Sequence, residues 1–161
     1  MRFFFIIIFL CLPLEAQTKI GKESGKVLPR FVSLKSDESN LRVGPSIEYP
    51  IILKYIKKNI PLKVLNEQNN WRKVIDIDNN EGWIHISLLN NKRFGIITRT
   101  QSDYIDIYDK PKGQIKGSIG INNIIKLKKC NDKWCFFTNK NYKGWLKKDN
   151  IWGVFIDEKF D

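Results

Sequence analysis

Residues 69–86 of the chain have the sequence NNWRKVIDIDNNEGWIHI, and residues 132–147 have the sequence DKWCFFTNKNYKGWLK. In both stretches a polar turn precedes a tryptophan, and a Gly-Trp pair follows at a spacing that differs by one residue. Trp83 and Trp145, the tryptophans of the two pairs, lie 62 residues apart. A period of this length is close to the size of a small barrel. We therefore predict an internal tandem repeat.

Both copies contain short β-branched or aromatic runs that are separated by clusters of Asn, Asp and Gly. These runs cover 51–56, 60–65, 71–77 and 82–86 in the first copy, and 115–119, 123–128, 134–138 and 142–147 in the second. No segment keeps a 3.6-residue apolar period over a useful length. The pattern predicts an all-β fold of two small barrels, and we expect Trp83 and Trp145 to fill their cores.

The first sixteen residues have the layout of a signal peptide. A short positive start precedes the apolar run Phe3–Leu12, Pro13 ends the run, and Ala16 is a small residue before Gln17. The run of ten apolar residues is shorter than the roughly 20 that a membrane span needs. An uncleaved anchor and a lipoprotein processed at Cys11 are the alternatives. We predict a periplasmic or secreted protein with no integral span after cleavage near Ala16 and Gln17.

The mature chain divides into four predicted segments. Residues 17–26 are polar and contain glycine, which is typical of a flexible leader. We assign 27–91 to barrel 1, 92–157 to barrel 2 and 158–161 to a tail. Because the connection near residues 90–93 is so short, we expect the barrels to be held against each other.

Composition limits the chemistry that the chain can carry. A single His excludes a metal site built from two or three histidines of one chain. The 28 Lys and Arg residues against 17 Asp and Glu residues give a net charge of +11, which favours an acidic partner. The abundance of Ile, Lys and Asn also fits an AT-rich genome, so mutational bias is an alternative origin for part of this charge. We predict no catalytic residue, no metal and no cofactor, and export argues against nucleic acid.

Four motifs of the first copy occur in the order found in one known family. They are Asn40-Leu41-Arg42-Val43-Gly44-Pro45-Ser46, Tyr49-Pro50-Ile51, Trp71-Arg72-Lys73-Val74 and Gly82-Trp83-Ile84. With them the copy resembles a bacterial SH3-like domain. The second copy departs, with Lys110-Pro111-Lys112 in place of Gly44-Pro45-Ser46. The mature chain resembles exported tandem SH3-like proteins of Gram-negative bacteria. This resemblance implies two tandem SH3-like barrels and transfers no catalytic residue.

The resemblance also bears on the type of ligand. Eukaryotic SH3 domains have G-Y-I-P-S-N-Y-V at the matching stretch, and its Pro and second Tyr help to line the groove for proline-rich peptides. Residues 82–89 here are GWIHISLL and residues 144–151 are GWLKKDNI. Neither stretch contains that Pro or that Tyr, so we argue against proline-rich ligands.

Cys130 and Cys135 flank a four-residue turn. In an exported protein such a pair is typical of a disulfide, and Cys11 leaves with the signal peptide. A reduced pair packed as small apolar residues and a redox pair are the alternatives. Redox motifs favour C-x-x-C before a helix, which this stretch lacks.

Two other features have a simpler and a more specific interpretation. Asp76 to Glu81 is rich in oxygen ligands, as a calcium loop would be, but a polar hairpin turn is the simpler interpretation. His85 has no Cys or His nearby and is interpreted as an exposed strand residue.

Basic residues that alternate with aromatics, as around Lys126 and Lys128, place like charges on one face of a strand.

These observations predict a non-catalytic, exported binding or adaptor module. Its ligand would be cell-wall peptide or glycan, or an envelope protein, and an anionic one if the charge is functional. Tyr49, Trp71 and Arg72 are the predicted contacts, because we place them on exposed loops and turn edges. The alternative is an accessory or regulatory subunit of an envelope enzyme. A stand-alone hydrolase would require scattered carboxylates to converge.

Overall fold

The computed structural model describes residues 18–98 and 102–161, and the regular elements in them are strands and two single turns of 3-10 helix. The predicted signal peptide lies outside the described residues. The elements up to the middle of the chain are β1 (Lys19–Ile20), β2 (Val27–Leu28), β3 (Arg30–Leu34), β4 (Ser39–Arg42), β5 (Ile51–Tyr55), β6 (Pro61–Gln68), β7 (Trp71–Ile75), β8 (Glu81–His85), a 3-10 turn (Ile86–Leu88) and β9 (Leu89–Asn90). They are followed by β10 (Phe94–Ile97), β11 (Tyr104–Tyr108), β12 (Ile115–Gly120), β13 (Ile124–Cys130), β14 (Trp134–Thr138), β15 (Lys143–Lys147), a 3-10 turn (Lys148–Asn150) and β16 (Ile151–Trp152).

Two seven-stranded sheets have the same strand order. The first runs β5-β4-β8-β7-β6-β3-β9 and the second runs β12-β11-β15-β14-β13-β10-β16. Each strand of the first sheet therefore has a counterpart seven strands later in the chain. The predicted fold class, all-β with two tandem SH3-like barrels, is confirmed. The boundary at residues 91 and 92 stays a prediction, with β9 ending at Asn90 and β10 beginning at Phe94.

The agreement between the sheets extends to single residue pairs. The β6–β7 hairpin shifts register between Val64 and Asn66, and the β13–β14 hairpin shifts register between Leu127 and Lys129. Both hairpins then continue through a matched pair, Glu67 opposite Arg72 and Cys130 opposite Cys135, to the turn before a tryptophan. The two hairpins can therefore be compared position by position.

Each barrel has its own apolar core, because the inward positions of its strands alternate with outward ones. The core of barrel 1 contains Leu28, Val32, Leu34, Leu41, Tyr55, Leu62, Val64, Val74 and Ile84. The core of barrel 2 contains Ile97, Ile105, Ile107, Ile119, Ile125, Leu127, Cys130, Cys135, Phe137, Leu146, Ile151 and Val154.

The prediction of a flexible leader over 17–26 is wrong for the residues from 18 onward. β1 pairs with β2, and the turn between them is held by Glu67 of barrel 1. The Glu67 carboxylate accepts hydrogen bonds from the backbone N–H groups of Glu23 and Ser24 and from the Ser24 hydroxyl. A buried carboxylate that needs donors thus orders a segment whose composition indicated flexibility.

The predicted tail, 158–161, also belongs to the folded structure. Phe160 exchanges two backbone hydrogen bonds with Cys130 and packs against the core of barrel 2. Glu158 forms an ion pair with Arg93 at the start of the second barrel. The chain after β16 therefore covers one end of barrel 2, much as the chain before β3 covers one end of barrel 1.

An aromatic cluster joins the two barrels. The ring of Phe31 in β3 lies 5.4 Å from that of Trp152 and 4.7 Å from that of Phe155. The guanidinium of Arg93 lies over Phe31 at 6.0 Å and donates a hydrogen bond to the Gly153 carbonyl. These contacts agree with the short connection, which brings the barrels together at their edges. No helix among the described residues is long and apolar enough to cross a membrane.

Candidate functional site: the outer faces of the two barrels

The Gly-Trp pairs place their tryptophans on the outer faces of the barrels. Gly82 and Gly144 point inward, where a Cβ atom would lie 2.7 Å from the Arg42 carbonyl oxygen and 2.3 Å from the Ile107 side chain. Glycine therefore lets the neighbouring strand approach. The next residue of a strand points the opposite way, so Trp83 and Trp145 are half-buried and lie outside both core clusters. The prediction that they fill the cores is wrong.

Barrel 2 carries a row of aromatic side chains across three adjacent strands. Phe136 in β14 lies opposite Trp145 in β15, and Trp145 lies opposite Tyr108 in β11. The rings of Phe136 and Trp145 are 5.5 Å apart. Trp134, two residues before Phe136 on the same face, packs edge-on against Tyr108 at 4.9 Å. These four aromatic side chains lie on the outer side of the sheet as two contacting ring pairs, in which Trp134 is only 8% exposed, and we call this surface the aromatic face.

The same row in barrel 1 is cationic on both sides of its tryptophan. Lys73 in β7 lies opposite Trp83, and Trp83 lies opposite Arg42 in β4. The Lys73 ammonium pairs with the Glu81 carboxylate at 2.5 Å. Arg42 donates hydrogen bonds to the carbonyls of Ile47 and Tyr49, and so fixes the loop between β4 and β5. We call this row the cationic face.

Two of the three predicted ligand contacts lie beside the cationic face. Tyr49 is 45% exposed, and its ring covers Gly44 at the place where a Cβ atom would otherwise lie. Trp71 is half-buried on the same side of β7 as Lys73, and its ring packs edge-on against His85 at 5.3 Å. Their role as ligand contacts stays a prediction.

Arg72, the third predicted contact, points into barrel 1 and is buried. Its guanidinium donates to the carbonyls of Asn69 and Trp71, and its Nε atom lies 3.3 Å from the Glu67 carboxylate. Arg30 reaches the same carboxylate at 2.8 Å. The exposed position expected for Arg72 is therefore wrong, because the side chain closes the turn from inside and holds a buried acid.

Glu67 is the centre of this buried network. Burial alone would raise the pKa of Glu67, but hydrogen bonds from Ser24 and Arg30, together with the charge of Arg72, outweigh it and lower the pKa to about 2. Only 1% of its side chain is exposed. The carboxylate is thus fully engaged and serves to hold the N-terminal segment on barrel 1.

Cys130 and Cys135 form a disulfide bond, with their Cα atoms 4.1 Å apart. The bond links β13 and β14 at the last pair before the turn that carries Trp134. The prediction of a disulfide is confirmed, and its inward position adds both sulfurs to the core of barrel 2.

The oxygen-rich turn after β7 is satisfied by protein donors. Asp76 is buried and accepts hydrogen bonds from the Tyr55 hydroxyl, from the backbone N–H groups of Asp78 and Asn80, and from the Asn80 amide. Burial, and the nearby charge of Asp76, raise the pKa of Tyr55. The geometry is that of a polar hairpin turn. Within residues 18–98 and 102–161, no group of three or more His, Cys, Asp or Glu side chains could hold a metal ion.

His85 ends β8 and is half-buried, whereas we expected it to be exposed. Its Nδ1 atom lies 2.8 Å from the Ser87 hydroxyl and accepts from the Ser87 backbone N–H, so it caps the following 3-10 turn. The ring contact with Trp71 explains the partial burial.

Three lysines gather where the connection enters barrel 2. Lys126 and Lys128 lie in β13, and Lys92 lies just before β10. The Lys128 ammonium beside Lys126, with a smaller contribution from Lys92, lowers the pKa of the Lys126 ammonium. None of the three forms an ion pair with another described residue. This lysine cluster is a concentrated positive patch, as the alternation of residues in the sequence indicated.

A signal for the outward tryptophans was present in the sequence. Ile84 and Leu146 follow the two tryptophans, and a glycine precedes each of them. In an alternating strand the small and aliphatic residues share one face, which leaves the tryptophan on the other. Strand alternation therefore outweighs the size of the aromatic side chain at both positions.

Comparisons with known proteins bear on the first barrel. The model of the bacterial SH3 domain family matches residues 35–91. No curated protein matches the sequence. Among solved structures, NlpC2 and NlpC1 from Trichomonas vaginalis each match with a TM-score of 0.33 and 15% identity over 77% and 82% of this chain. The matches cover 48% of either relative, so this chain spans about half of their length. The part of the chain that matches the bacterial SH3 domain family is therefore residues 35–91, which make up most of barrel 1.

Proposed function

We propose that this protein is an exported, non-catalytic module that binds cell-wall material through the outer faces of its barrels. The observation that carries the proposal is the aromatic face of barrel 2, on which Phe136, Trp145 and Tyr108 lie in register across three strands. Rings held by a sheet present a large apolar surface at a small cost in conformational entropy. The apolar side of a sugar ring, or a peptide side chain, fits such a surface.

The match of residues 35–91 to the bacterial SH3 domain family supports the same class of ligand, because bacterial SH3 domains bind cell-wall material in general. The cationic face of barrel 1 and the lysine cluster would add attraction for acidic groups of the wall. Export is proposed from residues 1–16 of the sequence alone.

The non-catalytic role is proposed from the state of the buried acids. Glu67 and Asp76 are buried carboxylates of barrel 1, and donors of the protein occupy both. A general acid or base needs a carboxyl group that can reach a substrate proton. Neither group is placed to do so.

Retention on purified sacculi tests the proposal. We expect Trp145→Ala to weaken retention about tenfold, as loss of a central aromatic anchor typically does. The control is Tyr142→Ala, which removes a 58% exposed ring from the turn of the same hairpin and should leave retention unchanged. Thermal melting of both variants confirms that they fold.

Two results would contradict the proposal. If sacculi retain wild type and Trp145→Ala equally, the aromatic face is not the contact surface. If sacculi retain nothing and cross-linking in cells captures an envelope enzyme, the accessory-subunit alternative replaces the proposed function.

A further inference from the structure

A cavity of about 560 Å³ opens beside the aromatic face, at the end of barrel 2. Three chain segments form it: the turn between β13 and β14, the end of β15 with its 3-10 turn, and the segment after β16. Trp134 and Ile156 supply its apolar surface, and the charged side chains at its rim are Asp132, Lys133, Lys147 and Asp149. A cavity of this volume accommodates a small-molecule ligand.

The walls of this cavity are held rigidly. The disulfide closes the hairpin whose turn carries Asp132, Lys133 and Trp134. Inside that turn, the Asn131 side-chain oxygen accepts hydrogen bonds from the backbone N–H groups of Lys133 and Trp134. A site whose walls are ordered beforehand loses less entropy when a ligand binds.

A buried lysine holds the opposite wall. The Lys148 ammonium donates to the carbonyl oxygens of Ile156 at 3.0 Å and Glu158 at 2.8 Å, which fixes the C-terminal segment. Lys159 of that segment pairs with Asp132 at 2.5 Å, so an ion pair ties the segment to the disulfide-closed turn. The cavity is thus closed on both sides by contacts that do not use its apolar surface.

The cavity is lined by charges of both signs, although the chain has a net charge of +11. Two carboxylates and two ammonium groups surround the apolar surface, and one of the carboxylates, that of Asp132, is already paired with Lys159. The side chains of Lys147 and Asp149 are exposed and have no hydrogen bond or ion pair within the described part of the chain. The Lys147 ammonium at the end of β15 and the Asp149 carboxylate in the 3-10 turn that follows are therefore available to a ligand in the cavity.

We infer that this cavity is a subsite for a short zwitterionic peptide, with an ammonium group facing Asp149 and a carboxylate facing Lys147. The apolar part of the peptide would lie on Trp134 and Ile156. This inference rests on the proposed function, because it names the peptide component of the wall as one ligand of barrel 2. Barrel 1 has no such charges at its matching positions, where Asn69, Asn70, His85 and Ser87 lie.

Titration with a defined peptide tests the inference. The probe is the synthetic tripeptide Ala-Ala-Lys with free termini, and the indole N–H signal of Trp134 in nuclear magnetic resonance spectra reports on the cavity. We expect saturable shifts of that signal, and an affinity about tenfold weaker for Lys147→Gln, for Asp149→Asn and for peptides blocked at the amino groups or at the carboxylate. The control Lys143→Gln removes an exposed charge from the same strand outside the cavity and should bind as wild type does.

The outcomes separate this inference from the proposed function. Equal binding of free and blocked peptides would overturn the zwitterionic assignment, and so would binding of chitobiose without binding of the tripeptide. If the protein binds the tripeptide but is not retained by sacculi, the subsite is supported and the proposed function is contradicted. Unchanged binding in a Cys130→Ser/Cys135→Ser variant would overturn the role of the disulfide in shaping the cavity.

Discussion

Barrels 1 and 2 close the same hairpin end with different chemistry. Barrel 1 places the Glu67–Arg72 ion pair next to the last pair of the hairpin, in which Gln68 lies opposite Trp71. Barrel 2 places the Cys130–Cys135 disulfide at the matching pair, before the turn that leads to Trp134. Each element also anchors a terminal segment, since Glu67 binds the turn at Ser24 and the Cys130 backbone pairs with Phe160.

This difference shows that two kinds of side-chain link can occupy the same position of the fold. Both barrels have a cross-strand link at the end of this hairpin, a charged pair in barrel 1 and a covalent bond in barrel 2. The two links differ in sensitivity, because protonation of Glu67 breaks the first and reduction breaks the second. The outer faces diverge in the same way, with one tryptophan flanked by cations and the other by aromatic rings.

The largest expected effect is that of Glu67→Gln. Removing this charge leaves Arg30 and Arg72 without their buried counter-charge, which typically costs 3–5 kcal/mol. Hydrogen exchange should show reduced amide protection first in β6 and β7, and unchanged protection in β13 and β14. The control is Glu81→Gln, which breaks an exposed pair with Lys73 and should cost less than about 1 kcal/mol. Equal protection loss in both hairpins would mean that the two closures are not independent.

Acidification tests the same ion pair without a mutation. The pKa of Glu67 falls from an ordinary value of 4.5 to about 2 in the folded chain. Its contribution is therefore present above pH about 4.5 and is lost as the pH falls toward 2. A shift of this size corresponds to about 3 kcal/mol. Urea denaturation of wild type and Glu67→Gln between these pH values should show a steeper loss for wild type, and parallel curves would contradict the assignment.

A comparison of neighbouring residues separates the core of barrel 2 from its outer face. Leu146 is fully buried, so Leu146→Ala should destabilise the protein by about 2–5 kcal/mol. Trp145→Ala should cost only about 1 kcal/mol, because the ring lies outside the core. Thermal unfolding measures both. If Trp145→Ala lowers the free energy of unfolding as much as Leu146→Ala does, Trp145 belongs to the core.

Loss of the disulfide should destabilise barrel 2 by about 2 kcal/mol, since the closed loop is short. The Cys130→Ser/Cys135→Ser variant, or reduction of wild type, should lower hydrogen-exchange protection in β13 and β14 and leave β6 and β7 unchanged. The stability lost with the disulfide should not depend on pH in the acid range, whereas the stability contributed by Glu67 should. A pH-dependent loss would show that the two closures are coupled.

The smallest expected effect on stability is at the lysine cluster. Lys126→Gln/Lys128→Gln removes like charges that repel each other, and stability should change by less than about 0.5 kcal/mol. If the patch contacts an anionic ligand, retention on sacculi should weaken and its dependence on salt should flatten. The control Lys35→Gln/Lys57→Gln removes the same charge from barrel 1. Identical salt curves for both double variants would mean that the cluster plays no part in binding.

Much of the fold could be predicted from the sequence. The runs at 51–56 and 134–138 correspond to β5 and β14, because β-branched and aromatic residues between polar turns have few other ways to bury one side. The disulfide could also be predicted, since two cysteines that flank a four-residue turn lie on adjacent strands.

The site was only partly predictable. Tyr49 is exposed as expected and Trp71 is half-buried, but the tryptophans of the outer rows were assigned to the cores, and Arg72 was assigned to the surface. Hydrophobicity ranks a tryptophan as a core residue and an arginine as a surface residue. In this protein strand alternation and a buried counter-charge outweigh those averages.

The sequence by itself determined the strand pattern, the repeated Gly-Trp pair and the cysteine spacing, because each depends on residues close together in the chain. For β8 and β15, strand alternation in the sequence indicated one side for the core and aromatic size indicated the other. The tertiary structure decided between them, because a neighbouring strand packs against Gly82 and Gly144. The tertiary structure also decided that the polar segment before β3 is ordered, because Ser24 of that segment binds the carboxylate of Glu67, 43 residues away. Contacts of that range depend on the path of the folded chain, and local composition cannot specify them.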